Sequence, residues 1–150
     1  MPVGLDCGAQ GAGGTWAAAD CDEHRAFVCE RPDWVVDPRT GSAYRLFVER
    51  LPWDEAQKVC AARGSHLVTL TDVAEQTFVT TRFPGAVWIG AHMGAGDQFA
   101  WLTGERAAFS DFAPGEPNFL DEQKCVALDV DRRWWNRECE DRHSFVCESP

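Results

Sequence analysis

The sequence predicts an α+β domain with two helices, a small antiparallel sheet and one long loop closed by a disulfide. Two stretches, 53–63 and a second that ends near Arg82, carry apolar residues at helical spacing, and short apolar runs between them are typical of strands. Cys125 and Cys139 are spaced to close an irregular loop that carries oxygen-rich side chains. At 150 residues and 45% apolar composition, the chain can bury one ordinary core.

The first helix is predicted over 53–63. Pro52 suits its first turn, where a missing N–H costs nothing, and Gly64 ends it. Trp53, Ala56, Val59 and Cys60 recur at helical spacing, so Cys60 is expected on the buried face, where it could form a bridge into the core.

The second helix is predicted to start at a capping residue, either Thr71 or Asp72, and to run to about Arg82. Pro84-Gly85 terminates it. The residues expected to face inward are Val73, Thr77 and Phe78.

Strands are predicted where short apolar runs recur along the chain. They cover 43–48, 66–70, 87–91, 99–104, 107–112, 124–130 and 144–147. Their aromatic residues are expected to form the core, and a role as sugar-stacking platforms is the alternative.

Charge and cysteine content restrict the partner and the compartment. The formal net charge of -10 disfavours nucleic acid and anionic membranes as partners. Seven cysteines without a Cys-x-x-Cys pair, and four isolated histidines, favour disulfides over zinc, and disulfides favour an oxidising compartment. No apolar run approaches a membrane span and no signal peptide precedes the domain, so we expect a secreted chain that is part of a longer protein.

The two ends of the chain are related by an internal repeat. Residues 6–32 align without a gap on residues 124–150, at an offset of 118. The alignment superimposes three cysteines, one tryptophan and the Phe-Val-Cys-Glu sequence that ends each segment. The N-terminal segment therefore looks like the last part of one domain, followed by a second domain of the same kind.

The order of these signals resembles the C-type lectin-like domain over about residues 34–148. The motifs that carry the resemblance are the helix with Cys60, Trp88-Ile89-Gly90, Trp101-x-Thr103-Gly104, Glu116-Pro117-Asn118, Cys125, Trp134, Cys139 and Phe145-Val146-Cys147-Glu148. The resemblance and the repeat together imply a C-terminal remnant of a first domain at 1–31, a linker at 32–34 and a complete domain at 35–150.

The same reasoning implies the disulfides. Cys60 is expected to pair with Cys147, Cys125 with Cys139 and Cys7 with Cys21. Cys29 is expected to be unpaired, because its partner would lie in the absent half of the first domain. The alternative is that Cys29 is a buried free thiol that has no disulfide partner.

In sugar-binding members of the family, a Glu-Pro-Asn sequence supplies two calcium ligands across a cis proline and goes with mannose-type preference. Glu116, Pro117 and Asn118 match it residue for residue. Ca²⁺ takes about 6 to 8 oxygen ligands, and the vicinal hydroxyls of a sugar can complete its shell. An ordinary surface turn is the alternative for this sequence.

The second calcium element of the family, Trp-Asn-Asp, is altered here. Trp134 keeps the spacing to Cys139, which puts Trp135 in the Asn position and Asn136 in the Asp position. The other register, with Trp135-Asn136 as Trp-Asn, places Arg137 where the carboxylate belongs. Glu122 could offer a further oxygen, so the predicted metal ligands are Glu116, Asn118, Glu122 and Asn136, and fewer carboxylates predict weak calcium binding.

The leading hypothesis is a secreted carbohydrate-recognition module that binds mannose-like sugar through Glu116, Asn118, Trp135 and Asn136. For Trp135, a second core tryptophan is the alternative to a ligand-contacting indole. The second hypothesis is a calcium-independent domain of a tandem-repeat protein, which binds an extracellular protein partner.

No recognisable nucleophile motif is present, so we expect a binding module and not an enzyme. Residues 1–31 have few apolar anchors, so self-association through them is a further candidate interaction.

Overall fold

The structure, a computed structural model, describes residues 33–96 and 98–150 in full and the backbone of 7–10 and 16–19. The chain divides into two compact units, Met1–Arg31 and Pro32–Pro150. None of the helices in the described ranges has the length and apolar character needed to cross a bilayer.

The first unit contains one antiparallel hairpin, formed by β1 (Cys7–Gln10) and β2 (Trp16–Ala19). In its register Cys7 lies opposite Ala19 and Gln10 opposite Trp16. The predicted Cys7–Cys21 bridge and the unpaired Cys29 lie outside the residues whose side chains are described.

The second unit contains two helices and eight strands. Its elements, in chain order, are β3 (Val35–Val36), β4 (Ala43–Leu51), α1 (Trp53–Ala61), β5 (His66–Leu67), α2 (Val73–Arg82), β6 (Val87–Met93), β7 (Phe99–Trp101), β8 (Cys125–Leu128), β9 (Trp134–Arg137) and β10 (His143–Ser149).

Six of the seven strand pairings are antiparallel, and the sheet has the strand order β3-β4-β10-β6-β8-β9. β5 pairs with β10, and β7 pairs with β6. The β10–β6 pairing is parallel, so the sheet is larger and more mixed than the small antiparallel sheet that the sequence predicts. The α+β class itself is confirmed.

Helix α1 forms where the sequence predicts it. Trp53, Ala56 and Cys60 lie on its buried face, and a disulfide joins Cys60 to Cys147 in β10. This bridge attaches α1 to the sheet and closes a loop across a sequence separation of 87 residues, for which the chain-entropy model gives about 4 to 5 kcal/mol.

Helix α2 is capped by Asp72, whose side chain accepts a hydrogen bond from the Glu75 N–H. The predicted inward face is confirmed for Phe78, which packs against the core, and is wrong for Val73 and Thr77. Val73 is 64% exposed, whereas the buried residues are Glu75, Gln76 and Val79. The helix is rotated because Glu75 and Gln76 find buried polar partners that periodicity does not reveal: the Tyr44 hydroxyl donates to Glu75, and the Trp134 indole N–H donates to Gln76.

Several strand predictions are also wrong in extent. Residues 107–112 form no strand and make only an isolated bridge from Phe112 to Trp134, and the predicted strands at 66–70 and 99–104 shorten to β5 and β7. The aromatic residues of this region surround the buried Trp134 ring edge-on, so they satisfy packing without a strand. These neighbours are Phe99, Trp101, Phe109 and Phe112, with ring centroids 5.3 to 5.8 Å from that of Trp134.

Candidate functional site

The long loop between β7 and β8 carries the Glu-Pro-Asn sequence, and its first half is held at the base by β9 and α2. The Ala113 N–H donates to the Trp134 carbonyl, and the Trp134 N–H donates to the Asp111 carbonyl. The Gln76 amide donates to the Asp111 carboxylate over 2.7 Å and accepts from the Trp134 indole over 2.7 Å. One buried glutamine therefore ties α2, β9 and the loop together.

At the tip of this loop, Glu116 and Asn118 lie side by side across a cis Glu116–Pro117 peptide bond. The Asn118 side-chain amide donates to Glu116 Oε1 over 2.6 Å. The other carboxylate oxygen, Oε2, accepts from the Asn136 backbone N–H over 3.2 Å. The carboxylate is thus oriented by one group of the loop and one of β9.

Asn136 fastens the loop to β9. Its side chain is buried, its Oδ1 accepts from the Asn118 N–H over 2.9 Å, and its Nδ2 donates to the Asn118 carbonyl and, over 3.0 Å, to the Gln123 carbonyl. The structure therefore brings together three of the residues that the sequence predicts for the site, Glu116, Asn118 and Asn136. Asn136 contacts the main chain of the loop on both sides of Phe119.

A disulfide between Cys125 and Cys139 closes the segment that contains β8 and β9, and Cys60–Cys147 is the other disulfide of the described residues. These are the pairs that the resemblance implies. The Cys139 carbonyl also accepts from the Trp53 N–H over 3.0 Å, which links this segment to the start of α1.

Two other predicted site residues, the metal ligand Glu122 and the carbohydrate-contacting Trp135, do not join the group. Glu122 is exposed, and its side chain has no hydrogen bond or ion pair with other described residues. Trp135 alternates with the buried Trp134 and Asn136 along β9 and therefore faces the other side of the strand. Its indole N–H donates to Asp131, and the Arg137 guanidinium lies 5.3 Å from its ring centroid.

The carboxylate of Asp129 is likewise engaged elsewhere. It forms an ion pair of 2.8 Å with Arg137. Burial raises the pKa of Asp129, but the Val130 N–H and the Arg137 guanidinium outweigh it and hold that pKa below its ordinary value. Asp129 is therefore charged and paired at neutral pH, on the strand connection and not at the loop tip.

Sequence reasoning missed one exposed residue at the loop tip. Phe119 directly follows Asn118, is 70% exposed and has a positive φ of 46°. The only signal in the sequence is an aromatic residue inside a polar loop. In the structure it places apolar surface next to the Glu116–Asn118 pair.

The donor set of this site fits calcium only in part. Glu116 is its single carboxylate, and among the described residues no group of three His, Cys, Asp or Glu side chains is placed to hold a metal ion. The Glu116 oxygens and the Asn118 side-chain oxygen are the available protein ligands, because Asn136 is committed to the main chain. Calcium prefers about 6 to 8 oxygens, so these residues fit an ion that is completed by water and by a bound ligand.

A second group of carboxylates lies between α2 and β10. Glu148 is buried, and its Oε2 accepts from the backbone N–H and the hydroxyl of Thr69, each over 3.0 Å. Burial and the nearby Glu75 raise the pKa of Glu148 to about 8, against the opposing effect of the Thr69 hydrogen bonds. Glu148 is therefore largely protonated at neutral pH.

Comparison with known proteins identifies relatives that match most of this chain. The sequence model of the Lectin C-type domain family matches residues 49–149. The human C-type lectin domain family 17, member A, is 29% identical over 136 residues, which cover 89% of this chain and 34% of that protein. The human C-type mannose receptor 2 is 32% identical over 116 residues, which cover 66% of this chain and 8% of that protein. The bovine secretory phospholipase A2 receptor is 29% identical, over 91% of this chain and 11% of its own length. The chain thus spans about a third or less of these relatives.

Solved structures share the fold. The mouse scavenger receptor C-type lectin carbohydrate-recognition domain has a TM-score of 0.74 at 23% identity, covering 79% of this chain and 94% of that one. A calcium-independent type II antifreeze protein has a TM-score of 0.73 at 24% identity, over 85% and 98%. The C-type lectin domain of murine dendritic cell inhibitory receptor 2, solved in complex with N-glycan, has a TM-score of 0.71 at 26% identity, over 81% and 98%. The predicted C-type lectin-like fold is confirmed.

Proposed function

Because this chain belongs to the C-type lectin domain family, we propose that it is an extracellular carbohydrate-recognition module that binds mannose-type sugars through Glu116 and Asn118, with weak calcium dependence. The observation that carries the proposal is the hydrogen-bonded group of Glu116, Asn118 and Asn136 at the loop tip. The two disulfides of the described residues support an oxidising, extracellular setting.

The chemistry of the pair suits vicinal hydroxyls. A carboxylate accepts hydrogen bonds from sugar O–H groups, and the Asn118 amide N–H₂ donates to a sugar oxygen. Asn136 would hold both groups in place before the sugar arrives, so less ordering entropy would be lost on binding.

Glu116 and Asn118 are the calcium ligands that we propose, with Asn136 as the residue that positions them and Glu122 as a further carboxylate of the same loop. When bound, the ion would supply positive charge that sugar hydroxyl oxygens can coordinate. A single carboxylate predicts weak affinity, because carboxylate count tunes calcium binding.

Calorimetric titration tests the proposal. Ca²⁺ is titrated first, and then mannose is titrated with calcium or with EDTA. We expect mannose to give heat in calcium and little in EDTA, and Glu116→Ala to abolish it. The matched control is Glu140→Ala, which removes an exposed carboxylate outside the loop. Absence of heat from both Ca²⁺ and mannose with the wild-type protein would refute the carbohydrate function.

The second candidate is a calcium-independent domain that binds a protein through the same loop. Exposed Phe119 beside a site with one carboxylate favours it, because exposed aromatic residues often anchor protein partners. Under this alternative, Phe119→Ser weakens partner binding in EDTA and Glu116→Ala leaves it nearly unchanged. The opposite order of effects would support the sugar site.

We also propose that residues 1–31 are the C-terminal part of a preceding copy, joined through 32–34 to the complete domain at 35–150. The hairpin registers support this: Cys7↔Ala19 and Gln10↔Trp16 in β1–β2 correspond, at the offset of 118, to Cys125↔Arg137 and Leu128↔Trp134 in β8–β9. Alkylation of the unreduced protein followed by peptide mass spectrometry tests the associated cysteine assignment. Cys29 should be the labelled cysteine, and labelling of Cys7 or Cys21 would contradict it.

A further inference from the structure

A groove lies beside the first residue of β6, Val87, away from the loop tip. It has a volume of about 340 Å³ and is formed by β4, by the segment between α2 and β6 and by the start of β10. Its charged and polar lining residues are Arg50, Arg142, His143 and Ser144. The volume is within the range of small-ligand sites.

The two arginines of the groove, Arg50 and Arg142, have no side-chain partner within the part of the chain that the structure describes. Both side chains are exposed, and neither forms an ion pair or a hydrogen bond with any residue of the described ranges. By contrast, Arg39, Arg45, Arg133 and Arg137 all pair with aspartates. In a chain with a net charge of -10, these two guanidinium groups bring positive charge to one groove, where Asp141 and Asp129 are the carboxylates that act on His143.

The wall of the groove adds an unsatisfied polar atom. His143 Nε2 is buried and lacks a hydrogen-bond partner among residues 33–96 and 98–150, while the His143 ring packs edge-on against Trp88 with centroids 4.6 Å apart. Burial holds the pKa of His143 below its ordinary value, so the ring is neutral at pH 7. Buried nitrogens are normally hydrogen-bonded, so an unpartnered one on a residue that lines the groove is a distinctive feature of this region.

From this geometry we infer a second ligand site, in which Arg50 and Arg142 bind an oxyanion on a saccharide, a sulfate or a carboxylate, independently of calcium. Guanidinium groups match the planar or tetrahedral oxygens of such anions with paired hydrogen bonds. The exposed side chain of Val48 and the half-buried Leu46 also line the groove and give the sugar ring an apolar surface.

Fluorescence anisotropy in EDTA tests the site with three labelled oligosaccharides of equal length: dextran sulfate, oligogalacturonate and neutral dextran. One or both charged probes should bind and the neutral probe should not, and the charged probe that binds identifies the anion. Arg50→Gln and Arg142→Gln should each weaken binding about tenfold, because each removes a charge-assisted contact. Arg106→Gln is the matched control, since it removes an exposed arginine outside the groove.

Glu116→Ala should leave this binding unchanged, which separates the groove from the proposed mannose site. In ¹⁵N spectra of the wild-type protein, the binding probe should shift the amides of Ala86 and Ser144 in the groove. Failure of both charged probes to bind, an equal loss in Arg106→Gln, or shifts confined to the loop around Asn118 would overturn the inference.

Discussion

Asn136→Asp gives the sharpest test of the loop site. The substitution places a carboxylate where the calcium-binding family motif has one, but it removes the amide that donates to the carbonyls of Asn118 and Gln123. Leaving two partners unsatisfied costs about 1 to 3 kcal/mol each, so we expect a loss of roughly 2 to 6 kcal/mol without calcium. For a chain of this size, at about 2 to 4 °C per kcal/mol, that lowers Tm by roughly 4 to 24 °C.

Calcium should reverse the loss. The added carboxylate lies beside Glu116, whose Oε2 accepts from the Asn136 N–H, so the variant has two charged ligands instead of one. An ion at 100 times its Kd stabilises the folded state by about 2.7 kcal/mol. Thermal unfolding followed by circular dichroism, with EDTA or with millimolar calcium, should show a larger calcium-dependent rise in Tm for the variant than for the wild type.

Asn136→Ala is the control, because it removes the same donors without adding charge. It should lose stability in EDTA and gain none from calcium. If Asn136→Asp kept the wild-type Tm in EDTA, the hydrogen bonds assigned to Asn136 would be wrong. If calcium raised the Tm of the variant no more than that of the wild type, Asn136 would not adjoin a cation site.

Three further predictions concern the fold. The folded-state pKa of Glu148 is raised to about 8, so its contribution to stability is full below the unfolded pKa and is lost as pH rises towards 8. Glu148→Gln should therefore flatten the pH dependence of the free energy of urea unfolding between pH 5 and 8, by up to about 1.4 kcal/mol per pH unit. An unchanged slope would contradict the assignment of Glu148 as a buried acid. Gln76→Met should cost about 1 to 3 kcal/mol in chemical unfolding, because it leaves the buried Trp134 indole N–H without its acceptor, whereas the exposed Thr77→Met should change little. Gly90→Ala should cost about 1 to 3 kcal/mol in the same assay, since a Cβ there would lie 2.7 Å from the Leu67 carbonyl oxygen; a wild-type midpoint would show that β5 can move aside.

Much of the fold could be predicted because it depends on local pattern. The buried face of α1 follows from helical spacing, and the pairing of the cysteines follows from the repeat and the family resemblance. The inward face of α2 could not be predicted in this way. Glu75 and Gln76 are polar, and only their partners Tyr44 and Trp134, distant in sequence, make their burial favourable.

The sequence by itself determined the elements of the site: a Glu-Pro-Asn loop, a cysteine pair around β8 and β9, and an amide at position 136 in place of a carboxylate. Only the tertiary structure decided what these elements do together. Strand alternation turns Asn136 towards the loop and Trp135 away from it, and hydrogen bonds between residues 18 apart make Asn136 a support for Asn118. The groove with Arg50 and Arg142 likewise arises from segments 92 residues apart, because unpaired charges meet only when the chain is folded.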